Sequence, residues 1–494
     1  MTRSSHSPSR RLFLRQSAAF SALSAGAAPI AMNLAAIGAA AAQSTQSDYK
    51  ALVCVFLAGG NDAYNTVLAT DSASWQAYVA TRNQQPTSIA LTSSSLKALA
   101  PAASLANGRS LALHPQLSGL QRLFNSDRKL AVVSNIGPLV EPLTKDQYTQ
   151  KAKRLPQRLF SHNDQQSTWQ ALSPEGATSG WGGRLADLLT AESPNGNGLF
   201  SGISAAGNAV WVSGKTVKQY QMQPAGAIRL GVSDTGIENV FGSQVAAAKL
   251  QNIAQRATNR HAFQTDLADV GARSIQAERM LRGSLPAAST WPYGGDAALM
   301  YTKPDGSVAQ NSLAAQLQAV ARTIGARTSL GMKRQVFFVS LGGFDTHDDQ
   351  LTRHADAMAK LNHALVYFDS VLSSMGVSDS VTTFTASDFG RSFTSNGNGT
   401  DHGWGGHQFV MGGAVKGGTV LGKLPVYGTK NVANNNFDNS PDQLANGALL
   451  PSTSVEQLGV SLGRWMNASE TMLQDVFPNL YQYQGSRGLD LMKT

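Results

Sequence analysis

The sequence predicts an α/β fold: a three-layer sandwich in which a mostly parallel central sheet lies between helices. Three observations carry this. The short apolar runs are continuous rather than alternating, which suits strands buried on both faces. Segments with helical periodicity separate them. No internal repeat replaces that alternation. In chain order, the run Ala-Leu-Val-Cys-Val-Phe-Leu at 51–57 is the first strand. A helix over 115–124 starts on Pro115 and lines up Leu117, Leu120, Leu123 and Phe124. A strand follows at 130–134, and a long helix at 243–281 is interrupted only by Gly271. The helix 311–324 places Leu313, Leu317, Val320 and Ile324 on one face, and a strand spans 335–341. The helix 351–372 carries Met358, Leu361, Leu365, Phe368 and Leu372, and strands at 381–385 and 408–411 close the pattern. Residues 195–235 and 420–455, rich in Gly, Asn, Ser and Pro, read as loop insertions or small β excursions within a single domain over 43–494.

With 494 residues, 42% of them hydrophobic and 14% charged, the chain has enough apolar material for a sizeable core. Disorder, collagen and coiled coil are excluded for the whole. The 40 basic and 31 acidic residues give a net charge of +9. Four of the basics (Arg3, Arg10, Arg11, Arg15) lie in the first 42 residues, which hold no acid. The remainder contains no long Lys/Arg run, so no nucleic-acid partner is expected.

Ser9-Arg10-Arg11-Leu12-Phe13-Leu14-Arg15 has the form of a twin-arginine export signal. An uncharged stretch over 16–47 follows it, with Ala40-Ala41-Ala42 as a small-residue cleavage site. Residues 1–42 are therefore expected to be a signal peptide read by the twin-arginine export machinery, and the mature protein to be periplasmic or secreted. Low hydrophobicity and Pro29 argue against a membrane anchor, and no later run approaches the length of a span, so no stable membrane insertion is expected. Cys54 is the only cysteine, which excludes an intrachain disulfide and thiolate metal clusters, and its place inside the apolar run 51–57 reads as core packing rather than thiol catalysis.

In an open parallel sheet, ligands collect where the loops leave the carboxyl ends of the strands. The first strand here ends in Gly59-Gly60-Asn61-Asp62. The strand at 335–341 runs into Gly342-Gly343-Phe344-Asp345-Thr346-His347, and that at 381–385 into Ala386-Ser387-Asp388-Phe389-Gly390-Arg391. Thr400-Asp401-His402-Gly403-Trp404-Gly405-Gly406-His407 leads into the last strand. Asp62, Asp345, His347, Asp388, Asp401, His402 and His407 are thus delivered to one rim. Carboxylates with imidazoles are the ligand set of Zn²⁺- and Mn²⁺-class ions. Taken singly, Gly-Gly-Asn-Asp is equally a turn with a capping Asp, and a His after a strand is more often a hydrogen-bonded residue than a ligand.

These segments also carry a resemblance. The stretch Lys50-Ala-Leu-Val-Cys-Val-Phe-Leu-Ala-Gly-Gly-Asn-Asp62 resembles the first-strand metal motif of the alkaline phosphatase superfamily. Ser161-His-Asn-Asp-Gln-Gln-Ser-Thr-Trp169 is similar to its nucleophile segment, and Thr385-Ala-Ser-Asp388 to its Thr-Ala-Asp-His motif. The whole set, with the export signal, Gly-Gly-Phe-Asp-Thr-His347, Ser-Asp-Phe-Gly-Arg391 and Thr-Asp-His-Gly403, most closely resembles the bacterial family called domain of unknown function 1501.

The resemblance implies an alkaline phosphatase-like or sulfatase-like fold. It further implies a metal-dependent hydrolase of phosphate or sulfate esters, acting on a small-molecule or polysaccharide substrate. Ser161 is then the nucleophile, with Ser167 and Thr168 as nearby hydroxyls, and Arg391 a clamp for the transferred group. Asp62, Asp345, His347, Asp388, His402 and His407 become the ligands of one or two divalent metal ions: Zn, Mn, Mg or Ca. Asp388 stands where that superfamily commonly shows a histidine, which favours the harder of these ions. A serine hydrolase of the G-x-S-x-G type is rejected, because Gly202-Ile-Ser-Ala-Ala fails at its last position, and no P-loop occurs. The alternative is a non-catalytic secreted binding or surface-assembly protein that uses the same rim for carbohydrate or partner binding. Trp169, Trp181, Trp211, Trp291 and Trp404 could support sugar stacking, though core packing is the commoner use of Trp.

Overall fold

All five continuous apolar runs are strands, and they lie side by side. A computed structural model describes residues 48–196, 198–227, 242–254, 262–287 and 290–493. The export-signal reading of 1–42 lies outside the described residues. In chain order the strands around the site are β1 (Lys50–Leu57), β2 (Leu130–Gly137), β3 (Gly202–Ser204), β4 (Tyr220–Gln223), β5 (Arg334–Leu341), β6 (Val381–Ser387), β7 (Arg391–Ser395), β8 (Thr400–His402), β9 (Gly406–Met411) and β10 (Val420–Leu421). The helices are α1 (Ser72–Arg82), α2 (Ser118–Asn125), α3 (His162–Ala171), α4 (Trp181–Glu192), α5 (Gln244–Ala254), α6 (Ala262–Ser284), α7 (Ser312–Gly325), α8 (Gln350–Ser374) and α9 (Val455–Trp465).

The main sheet runs β10-β2-β9-β6-β1-β5-β3-β4. At its centre β1 pairs in parallel with β5, from Lys50 against Arg334 to Leu57 against Leu341, and with β6, from Ala51 against Val381 to Leu57 against Ser387. The exception is β9, which is antiparallel to both β6 and β2. The connection from β6 to β9 explains it: the hairpin β7–β8 returns the chain at the same sheet edge, whereas a parallel neighbour needs a crossover. The insertion at 195–235 contributes β3 and β4, and that at 420–455 contributes β10, so both are small β excursions onto the sheet edges. Residues 228–241 of the first lie outside the described residues.

Alternate side chains of β1 enter two different cores, which makes the sheet the middle of three layers. Ala51, Val53, Val55 and Leu57 pack with α2, α7 and α8 through Leu120, Phe124, Leu317, Val320, Leu361 and Phe368. Leu52, Cys54 and Phe56 pack with α4 and α9 through Trp181, Leu185, Leu458 and Leu462. Cys54 is a buried packing residue. The single long helix expected at 243–281 is instead described as α5 and α6, with 255–261 outside the described residues. Gly271 is a contact rather than a break: a Cβ there would lie 2.2 Å from the Ala254 carbonyl oxygen, so its absence lets the two helices meet. The tryptophans proposed for sugar stacking are core residues, since Trp169, Trp181, Trp211, Trp291 and Trp404 are all buried.

Three further histidines, His114, His354 and His407, are buried, and burial lowers their pKa, to about 4 for the last two. A lowered histidine pKa means that the unfolded chain binds the proton more readily. The stabilisation is therefore complete above the ordinary value of 6.5 and is lost as pH falls toward 4. His354 and His407 each contribute about 1.4 kcal/mol per pH unit over that range, and His114 acts in the same direction. Glu456, pushed up to about 7 by burial, opposes them together with Asp369 and His162, whose pKa values are also raised, while the lowered pKa values of His363 and His402 act with them. Denaturation midpoints measured from pH 7 to pH 4.5 should fall steadily; a flat profile would contradict the neutral assignment of these imidazoles.

Candidate metal centre at the carboxyl edge of the sheet

The loop after β1 passes directly against the loop after β5, and two glycines make this possible. Gly59 and Gly60 have φ of +116° and +88°. A Cβ on Gly59 would lie 2.3 Å from the Asp345 amide nitrogen. Gly59→Ala therefore combines an unfavourable backbone conformation with a backbone clash, and should cost about 2–4 kcal/mol in stability as well as displacing Asp345. An unchanged denaturation midpoint would refute the tight approach.

Asp345 is the hub. Its Oδ1 receives the Arg391 Nη1 donor at 2.6 Å, and the hairpin pairing of Arg391 with His402 brings both under the same loop. Arg391 is fully buried and also donates to the Gly59 carbonyl (3.2 Å), to Thr400 Oγ1 (3.3 Å) and to the Thr400 carbonyl. Burial acts to raise the Asp345 pKa, but the Arg391 hydrogen bond and charge outweigh it and hold the carboxyl below its ordinary value.

Three imidazoles turn their Nε2 atoms toward this one carboxylate: His162 at 3.5 Å, His347 at 3.1 Å and His402 at 3.4 Å. In each case an oxygen holds the opposite nitrogen. His162 Nδ1 meets Asp388 Oδ2 at 2.7 Å, His402 Nδ1 donates to the Phe160 carbonyl at 2.7 Å, and His347 Nδ1 lies 3.3 Å from Asp401 Oδ1. A carbonyl only accepts, so His402 carries its proton on Nδ1 and leaves a lone pair on Nε2. The His347 and His402 Nε2 atoms stand 3.0 Å apart, within hydrogen-bonding distance of each other. Phe160 adopts φ +71°, a costly conformation for a phenylalanine, while its carbonyl holds His402. The Asp388 hydrogen bond raises the His162 pKa, whereas burial lowers that of His402. Ligand atoms of His162, Asp345 and His402 lie within 4.8 Å of one another, the one such group among the described residues.

Of the residues expected from sequence, Asp345, His347 and His402 are thus brought together. Asp388 lies immediately behind them: its oxygens accept from Gly59 N (3.0 Å), Gln166 Nε2 (2.8 Å) and His162, so it positions an imidazole rather than facing the cluster. Asp62 is elsewhere engaged. Arg82 grips it with bonds of 2.5 and 2.9 Å, Gln350 Nε2 donates at 2.6 Å and Tyr64 N at 3.1 Å, which occupies both buried oxygens. His407 points into the sheet, where its Nδ1 accepts from Asn135 N at 3.1 Å. Ser161 is the N-cap of α3 but caps nothing; its Oγ donates to the buried Asp164 Oδ2 at 2.8 Å. Arg391 is committed to Asp345, Gly59 and Thr400 rather than presented as a clamp. His162 is the member that sequence reasoning missed. The available signal was its place beside Ser161 at a helix start, in the one segment that already seemed chemical.

Fold and cluster define a class: an α/β protein with a histidine–carboxylate cluster on the carboxyl edge of a mostly parallel sheet. Residues 49–477 match the family described as protein of unknown function (DUF1501), and the chain belongs to that family. No curated protein matches it in sequence. Among solved structures it is similar to Ps i-CgsB (8% identity, TM-score 0.34, 87% of this chain and 76% of that one). It is also similar to the PsFucS1 sulfatase from Pseudoalteromonas sp. (8%, 0.26, 78% and 66%) and to the lipoteichoic acid synthase LtaP from Listeria monocytogenes (9%, 0.28, 89% and 93%). Likeness at that level carries no assignment of activity.

Proposed function

We propose that the protein is an exported, periplasmic or secreted hydrolase of phosphate or sulfate esters that works with a divalent metal ion. His162, Asp345 and His402 would hold the ion, with His347 on the solvent side. The observation that carries this is the convergence of three oriented Nε2 atoms on the Asp345 carboxylate. The donor set fits such an ion: three imidazoles and one carboxylate suit Zn²⁺ or Mn²⁺ better than Mg²⁺ or Ca²⁺. This reverses the preference that Asp388 implied, because Asp388 stands behind His162. It also reduces the expectation to one ion, since Asp62 and His407 are engaged elsewhere. When bound, the ion supplies Lewis acidity toward the ester oxygens.

The chain's own residues supply the rest. Arg391 fixes Asp345, and Asp388 fixes the His162 ring and its tautomer. Ser161 Oγ, at the positive end of α3, attacks phosphorus or sulfur, and the bond to the leaving alcohol oxygen breaks. Asp164, already accepting the Ser161 hydroxyl at 2.8 Å, takes that proton as the new bond forms and passes it to the departing alkoxide. Water then attacks the Ser161 ester, its proton returns to Ser161 Oγ through Asp164, and phosphate or sulfate is released.

The test is metal content by mass spectrometry together with turnover on a panel of phosphate and sulfate monoesters. Ser161→Ala should keep its metal and lose on the order of a thousandfold in kcat. Full turnover in that variant would exclude Ser161 as nucleophile. Metal titration followed by thermal unfolding gives an independent readout, with about 2.7 kcal/mol of stabilisation at a hundredfold excess over Kd.

A further inference from the structure

The segment 143–160, which leads directly into Ser161, holds five cations (Lys145, Lys151, Lys153, Arg154, Arg158) and one acid, Asp146. Its two sides differ. Leu143, Tyr148, Leu155, Leu159 and Phe160 pack inward on the cluster formed by Leu139, Trp404 and Leu450, so the strap is anchored to the loop that carries His402. Its carbonyls tie onto α3: Gln165 Nε2 donates to the Gln157 carbonyl at 3.0 Å, and Ser161 N to that of Arg158 at 3.2 Å. On the outward side, Lys151 is exposed, as are Arg154 and Arg158 at 63% and 72%. The acids facing them are Glu141, at 3.9 Å from Arg154 but shared with Lys153 at 2.7 Å, and Asp164, at 3.7 Å from Arg158. That last carboxylate also accepts the Ser161 hydroxyl, so the row of cations ends one side chain from the candidate nucleophile.

We infer that this strap is a substrate-binding surface for a sulfated polysaccharide, with Lys151, Arg154 and Arg158 holding sulfate groups beyond the one being cleaved. The inference rests on the ester-hydrolase reading and names its substrate class. Charge complementarity carries it, and the chemistry of the row narrows it. Two of the three cations are guanidinium groups, which are weakly hydrated and bind oxyanions by paired hydrogen bonds, a geometry that the oxygens of a sulfate ester also offer. Single-stranded nucleic acid also needs freely exposed rings for base stacking, and Tyr148 and Phe160 of the strap are half-buried against the Trp404 cluster. A membrane surface needs exposed apolar side chains, and the strap's leucines are packed.

The experiment uses the mature protein, dextran sulfate and uncharged dextran as probes, and the double variant Lys151→Gln/Arg154→Gln, which leaves the site residues intact. Dextran sulfate should bind the wild type with a steep salt dependence, and dextran should not bind. The double variant should lose at least tenfold in affinity at low salt, with the log–log salt slope falling by about two, while metal content and monoester turnover stay unchanged. Arg158→Gln should weaken binding by a similar factor per charge. Unchanged dextran sulfate affinity in the double variant, with metal and turnover intact, overturns the strap alone. Binding of polyphosphate or single-stranded DNA as tight as that of dextran sulfate, equally dependent on Lys151 and Arg154, overturns the sulfated-polysaccharide assignment. Strap-dependent binding by a protein that takes up no metal at His162, Asp345 and His402 leaves the surface standing and removes the hydrolase reading.

Discussion

Replacing Asp345 with alanine is expected to strip the protein of its metal and of its turnover. A bound divalent ion is worth about 10–16 kcal/mol in well-formed protein sites. Divided among three or four ligands, that is about 2.5–5 kcal/mol each, on the order of a hundred- to a ten-thousandfold in affinity. Asp345 has the additional task of neutralising the buried Arg391, its partner at 2.6 Å. Asp388→Asn is the matched comparison. Asp388 meets the cluster only from behind, through the Nδ1 of His162, so its loss should weaken metal binding by only about 10–100-fold. Calorimetric titration of both variants with Zn²⁺ and Mn²⁺ measures the difference. Equal losses would mean that Asp388 is itself a ligand.

The largest effect on stability is expected at Asp62. Its carboxylate and the Arg82 guanidinium are both wholly inaccessible to solvent, and Arg82 sits among the rings of Tyr64, Phe393 and Tyr78, at 5.1, 5.7 and 5.9 Å from their centroids. Burial acts to raise the Asp62 pKa; the Arg82 charge and hydrogen bonds outweigh it and keep the carboxyl ionised. Asp62→Ala would leave a buried cation without its counter-charge, at a cost of about 3–5 kcal/mol, read as a lower denaturation midpoint. Asp62→Ala/Arg82→Met should recover much of that loss, because both charges go together. Any Asp62 variant that still folds should retain its metal, and metal loss without destabilisation would restore Asp62 to the ligand set.

The central sheet was legible because strands buried on both faces leave unbroken apolar runs, and β1, β2, β5, β6 and β9 all do so. The antiparallel direction of β9 was not, since it follows from the hairpin before it rather than from its own residues. β3, β4 and β10 are only 3, 4 and 2 residues long and lie in Gly-rich sequence, too short to leave a pattern. In the site, Asp345 and His347 were visible because they follow a strand through a glycine turn, and His402 because it stands in the glycine-rich segment that leads into the last strand. Asp62 and Asp388 show the same local signal, but their surroundings differ. Arg82, twenty residues further along, claims Asp62, and His162 arrives on a helix to meet Asp388. Nothing within either motif encodes these partners; they are products of the assembled sheet edge. His407 follows the same glycine-rich loop as His402, yet the pleat of β9 turns it inward.

Anomalous diffraction at the zinc edge, from crystals grown with Zn²⁺, tests the central claim most directly. The account predicts one strong peak about 2.0–2.2 Å from His162 Nε2, an Asp345 carboxylate oxygen and His402 Nε2. A peak seated on Asp62 or His407, or none above background with the fold intact, would contradict it.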